Sequence, residues 1–198
     1  MNIVKKVVLG NTLVLLARRR FRMLPPTARK IVTAGCISVG LAVALVGTVA
    51  VASSLRVVDI NDQCDPASFN AVIGPGTCVT SHAGVKFGDF IRELGQTQKV
   101  GAWNFAPGEV RLQDGQAFQA TNRGGEEHTF TEVDEFGGGI VPILNILSGN
   151  PVPAPECLDP ALEFIPPGGM SAPDTEEPGV HHYQCCIHPW MRVDVTVQ

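Results

Sequence analysis

The run Tyr183-Gln184-Cys185-Cys186-Ile187-His188-Pro189-Trp190-Met191 places a thiolate, an imidazole and a thioether at spacing Cys-x-x-His-x-x-Met. A soft thiolate and a thioether select copper(I), and imidazole also suits copper(II). Two His and one Cys in a plane, with a weak axial Met, hold copper for one-electron transfer. The motif supplies only one His, so a second must come from elsewhere. His128 is the candidate. Zinc also accepts two His and a thiolate, but it has little use for a thioether, so Met191 is the discriminating residue.

The longer segment Pro178-Gly179-Val180-His181-His182-Tyr183-Gln184-Cys185-Cys186-Ile187-His188-Pro189-Trp190-Met191, followed by Val193-Asp194-Val195-Thr196-Val197, resembles the C-terminal end of a cupredoxin. It is similar to the plastocyanin, pseudoazurin and amicyanin group, and the short gap from His188 to Met191 is most similar to amicyanin. Upstream, Thr121-Asn122-Arg123 with Glu127-His128-Thr129-Phe130 resembles the strand that carries the first copper His. Pro166-Pro167-Gly168-Gly169 resembles the turn before the last strands. The resemblance runs from about Val100 to Gln198. It implies an all-β, Greek-key β-sandwich holding one type 1 copper on His128, Cys185, His188 and Met191. It also implies that the His188-Pro189-Trp190 loop brings a His edge to the surface. An apolar docking patch is expected there, with Phe130, Trp190 and the Ile140-Val141-Pro142-Ile143 loop nearby.

Cys185 is the ligand the resemblance implies, because Cys186 leaves only one residue before His188. Neighbouring strand residues point to opposite faces, so one Cys reaches the metal while the other faces away. A vicinal disulfide, or two half-cystines, is the competing reading of the pair. With Cys185 taken as ligand, Cys64, Cys78, Cys157 and Cys186 remain beyond the apolar run described below. Four cysteines allow three pairings. Cys64–Cys78, flanking a turn-rich loop, is favoured, which leaves Cys157–Cys186. His82, His181 and His182 read as non-ligands. His-x-His pairs, which a multicopper oxidase needs, are absent.

The elements that must position these residues occupy only part of the 198-residue chain. Every charge before Asp59 is positive, and all 19 acidic residues lie from Asp59 onward. The overall charge of −4 therefore joins a basic head to a strongly acidic body. An acidic body argues against nucleic acid as a partner. Ile31 to Leu55 carries no charged residue and is long enough to cross a bilayer as a helix. Arg29 and Lys30 before it put its start in the cytoplasm. Ala50-Val51-Ala52 before Ser53 also fits a small-residue cleavage site. The division expected is residues 1–30 as a basic cytoplasmic segment, 31–52 as a signal peptide or signal-anchor helix, 53–98 as an N-terminal extension, and 99–198 as the cupredoxin domain. Met23 is an alternative start that gives an ordinary signal peptide.

Within the extension, Phe87, Phe90, Ile91 and Leu94 recur at helical spacing, so 86–94 reads as one amphipathic, core-packed helix. Strand signals follow at 102–105, 109–112, 117–121, 128–133, 162–165, 180–185 and 192–197. Gln113-Asp114-Gly115 reads as the turn of a hairpin joining two of them. Residues 136–160 are rich in Gly and Pro, and a connection that long is expected to be functional or pinned.

These features predict a non-enzymatic, one-electron copper protein outside the cytoplasmic membrane, in a disulfide-permissive compartment, meeting unidentified redox partner proteins. An extracytoplasmic copper-binding or carrier module is the alternative. A nitrite-reductase-like enzyme needs further His ligands that the chain lacks.

Overall fold

The structure, a computed structural model, describes residues 54–81 and 83–198. The expected basic segment, the apolar span at 31–52 and His82 lie outside the described residues. No helix among the described residues is long and apolar enough to cross a membrane.

Among the described residues, seven strands form two sheets. The first holds β1 (Arg56–Asn61), β2 (Asn104–Ala106) and β4 (Phe118–Asn122) in the order β2-β1-β4. The second holds β3 (Glu109–Leu112), β5 (Thr131–Val133), β6 (Gly179–Gln184) and β7 (Arg192–Val197) in the order β3-β7-β6-β5. Alternation along the strands decides which face meets the other sheet. Val58 and Ile60 of β1, Val110 and Leu112 of β3, and Val193, Val195 and Val197 of β7 are all buried in one core. Phe118 joins the layers, with its ring edge-on to Tyr183 of β6 at 5.4 Å.

Three helices cover the sheets. Helix α1 (Pro66–Val72) starts where the Asp65 side chain accepts the Ser68 N–H, with Pro66 in the first turn, where its missing N–H costs nothing. Helix α2 (Phe87–Thr97) matches the expected amphipathic helix and runs three residues further, closing at Gln98 in the left-handed conformation. It buries Phe90 and Leu94. Helix α3 (Pro142–Leu147) and a 3-10 turn (Pro155–Leu158) punctuate the long Gly/Pro connection.

Three expectations are corrected. The extension holds two helices where one was expected, and it is built into the domain: the described residues form one compact unit, with β1 in the middle of the first sheet. The hairpin at Gln113-Asp114-Gly115 does not form. β3 instead pairs in parallel with β7, and β4 in parallel with β1. The turn is real, with Gly115 at φ +71°, but it carries the chain from one sheet to the other. A local turn signal reports a reversal and says nothing of which strand lies alongside.

The expected strands at 128–133 and 162–165 shrink to Thr131–Val133 and to a single bridge between His128 and Ile165. The Thr129 backbone N–H points to the Cys185 sulfur at 3.5 Å, so it cannot join a ladder.

Both favoured disulfides are present, Cys64–Cys78 and Cys157–Cys186. The second ties the long connection to the residue beside Cys185. By loop entropy each stabilises the fold by about 3–4 kcal/mol.

Phe118→Ala is expected to destabilise the oxidised protein by about 3–5 kcal/mol, because its side chain is wholly buried between the sheets. Val180→Ala, at a side chain 59% exposed, should change stability by less than about 0.5 kcal/mol. Guanidinium unfolding of the two variants checks the contrast.

Candidate metal centre

Cys185 follows β6 directly. It is wholly buried and is the free cysteine among the described residues. Its backbone N–H donates to the Met191 carbonyl (3.0 Å), and the Met191 N–H donates to the His188 carbonyl (2.9 Å). These bonds close the loop from Cys185 to Met191 before the chain enters β7. The loop therefore returns His188 towards the sulfur.

His128 comes from the other side. Its backbone exchanges two hydrogen bonds with Ile165, at 3.1 and 2.7 Å. The Asn122 side-chain amide donates to the carbonyls of Glu126 and Ile165, holding the intervening loop. Thr129 then locks the two halves together: its N–H reaches the Cys185 sulfur, and its Oγ1 accepts the Cys186 N–H at 2.7 Å.

Three donor atoms converge. Cys185 Sγ lies 3.6 Å from His128 Nδ1 and 3.8 Å from His188 Nδ1, and the two Nδ1 atoms are 3.3 Å apart. All three residues are buried. Metal–nitrogen bonds of about 2.0 Å and a metal–thiolate bond of about 2.3 Å, spread evenly in a plane, require edges of about 3.5 Å between nitrogens and about 3.7 Å from nitrogen to sulfur. The triangle fits such an ion. Met191, 1% exposed, is buried in the same loop.

Cys186 points away from this centre into its disulfide with Cys157, although the pair lies just beyond the end of β6. His181 and His182 stand apart, with His181 Nδ1 on Glu132 and His182 Nδ1 on Asp194, both 2.8 Å or closer.

Two carboxylates that the sequence reading did not single out face the imidazoles. Asp62 Oδ2 is 2.9 Å from His128 Nε2, with both side chains wholly buried. Glu126 Oε2 is 3.7 Å from His188 Nε2 and accepts the Trp103 indole N–H at 2.8 Å. The charges support one another. Burial alone would push the Asp62 carboxyl up, but bonds from His128, Glu126 and Gly125 overcome it and hold the carboxyl at about 2. Burial likewise opposes charge on His128, yet Asp62 and Cys185 raise its pKa to about 9. Burial disfavours the Cys185 thiolate, and the two His bring its pKa well below the ordinary thiol value. Burial pushes the Glu126 carboxyl up. No sequence signal singles out Asp62, which is 66 residues from its partner.

The expected exposed His edge is not found. His188 is 3% exposed, with the rings of Phe90 and Trp190 against it. Phe130, half-buried, stacks on Tyr183 at 4.5 Å and does not line the cavity beside His188. The Val141–Ile143 stretch does lie nearby. An apolar cavity of about 800 Å³, lined by Phe87, Phe90, Ile91, Ile143 and Ile187, reaches His188 and Glu126.

No family model matches the chain, and no curated protein matches it. Among solved structures, a novel purple cupredoxin from Nitrosopumilus maritimus is similar over 72% of this chain and 99% of its own length, at 16% identity and a TM-score of 0.40. An oxidised proline-to-glycine variant of amicyanin is similar over 76% of this chain and 88% of its own, at 15% identity and a TM-score of 0.35. A Cu(I) methionine-to-alanine variant of amicyanin is similar over 48% of this chain and 73% of its own, at 17% identity and a TM-score of 0.34. All three are cupredoxins.

Proposed function

We propose that this protein is a type 1 copper protein of the cupredoxin kind that carries single electrons outside the cytoplasmic membrane. The observation that carries the reading is the buried triangle of His128 Nδ1, His188 Nδ1 and Cys185 Sγ, with edges of 3.3–3.8 Å, closed by a loop that also contains Met191. His128, Cys185 and His188 would hold the ion, with Met191 of the same loop as the further ligand. Copper bound there supplies a centre that gains and loses one electron.

The chain's part is to hold the donors still and dry. Thr129 fixes the sulfur through its N–H, and the Ile165 bridge fixes the His128 backbone. Donors that are already converged rearrange little between oxidation states. Phe90 and Trp190 shield His188 from water. The apolar cavity beside His188 offers an approach for a redox partner, and the acidic surface would orient a basic one. The cluster of one thiol and two imidazoles among the described residues supports an electron carrier over an enzyme.

Placement follows from charge. Basic residues alone precede the apolar stretch at 31–52, and every acidic residue follows it. The copper domain then sits on the periplasmic or extracellular side, tethered by that stretch or released near Ala52.

The copper-loaded domain is expected to be intensely coloured when oxidised. Cys185→Ser should abolish the thiolate charge-transfer band. The double variant Cys157→Ser/Cys186→Ser should keep the band and lose about 3–4 kcal/mol of stability. An absorption spectrum decides, and a colourless Cu(II) protein or one that takes up only zinc would sink the reading. For placement, a C-terminal reporter fusion should be active only outside the cytoplasm, and N-terminal sequencing of the native protein separates tether from release.

A further inference from the structure

Residues 54–98 lie outside the segment whose sequence motifs resemble a cupredoxin, yet they deliver a side chain to the candidate centre. Asp62 stands immediately after β1, with its carboxylate wholly buried. Oδ1 accepts the backbone N–H groups of Cys64 (3.2 Å) and Gly125 (2.9 Å). Oδ2 accepts the Glu126 N–H (3.0 Å) and meets His128 Nε2 at 2.9 Å. Four donors use the full acceptor capacity of an ionised carboxylate. An Asn in this place could accept only on its one oxygen, and its NH₂ would face donors.

The surroundings are built to this carboxylate. A Cβ on Gly124 would fall 1.8 Å from Asp62 Oδ2, so the chain passes there only as glycine. Cys64, two residues on, is pinned to Cys78. The carboxylate therefore has one place to be, and His128 has one ring orientation that satisfies it. With Nε2–H donated to Asp62, Nδ1 is the nitrogen turned towards Cys185 Sγ and His188 Nδ1. The carboxylate on His188 is a weaker case: at 3.7 Å, Glu126 is a neighbouring charge and not a hydrogen-bond partner.

We propose that Asp62 is the positioning residue of the copper centre: it fixes the tautomer and plane of His128 and, through its buried negative charge, favours Cu(II) over Cu(I). Residues 54–98 are then part of the redox site and set its potential. A carboxylate on the far nitrogen of a ligand imidazole raises the basicity of the bound nitrogen, and losing such a partner typically weakens metal binding by about 10–100-fold. The higher oxidation state gains more from the added negative charge. The electronic half of this proposal rests on the copper reading above; the tautomer half does not.

The experiment uses the whole protein with both disulfides formed, as wild type, Asp62→Asn and Asp62→Ala. Nitrogen-15 NMR of the metal-free wild type, titrated upward until His128 is neutral, should show its remaining proton on Nε2 and protected from exchange. Asp62→Ala should lose the protected proton while keeping its dispersed amide spectrum. In the copper-loaded proteins, Asp62→Asn should lower Cu(II) affinity and raise the reduction potential. A tenfold loss of Cu(II) over Cu(I) binding corresponds to a rise of about 59 mV. A wild-type His128 protonated only at Nδ1 would overturn the proposal, and so would a folded Asp62→Asn protein with unchanged potential and Cu(II) affinity. If neither variant folds, the wild-type tautomer alone decides the positioning. A wild type that takes up no copper overturns the proposed function, and it is told apart because the His128 proton signal needs no metal.

Discussion

A thiol with no sulfur partner, buried completely between two sheets, is the constraint that organises this molecule. Charge on Cys185 is costly in such a place unless positive or polar groups meet it. Here two imidazole nitrogens and one backbone N–H do so within 3.8 Å. The imidazoles are themselves buried, and His128 in turn meets the Asp62 carboxylate. The carboxylate takes three backbone N–H groups besides. Each buried charge is met by the next, out to main-chain donors that carry no net charge. A cation placed among the three inner donors completes this series, because the thiolate and the outer carboxylate are both negative.

The two disulfides fit the same requirement. Cys157–Cys186 holds the residue next to the thiol, and Cys64–Cys78 holds the segment next to Asp62. Both bonds flank the centre without contributing a ligand. Gly139 shows how tightly the long connection is drawn in: a Cβ there would lie 1.8 Å from the Cys186 carbonyl. The Ile140 N–H donates to that same carbonyl at 2.7 Å. A connection rich in Gly and Pro thus becomes a fitted wall beside the ligand loop, which explains its length better than mobility would.

Much of the centre was legible in sequence because it is local. Cys185, His188 and Met191 fall within one loop, so their spacing survives without knowledge of the fold. The strand Arg192–Val197 and helix α2 declare themselves by period 2 and period 3.6. His128 needed more than spacing: the resemblance of its surroundings to a known strand picked it out, and the structure brings it to the same point. Asp62 was not legible. It is one acid among 19, and nothing in Asn61-Asp62-Gln63 marks it as buried. The strand before it was missed as well, although Val57-Val58-Asp59-Ile60 does alternate after Val57. The hairpin error has the same origin. Both β3 and β4 take parallel partners far away in sequence, and the two residues of a turn hold no information about those partners.

The cover over His188 changes what electron transfer would require. An imidazole edge exposed to solvent lets a flat partner surface come close. Here α2 brings Phe90 against His188, and Trp190 closes another side. A redox partner would have to reach the ring through the apolar cavity or pass the electron across the aromatic pair. The cavity is walled partly by α1 and α2, the same extension that supplies Asp62. One segment thus touches the centre twice, at His128 through a buried charge and at His188 through apolar rings. A potential set on one imidazole and an access route set on the other would be adjusted together by changes in this extension, while the ligand loop itself stays constant.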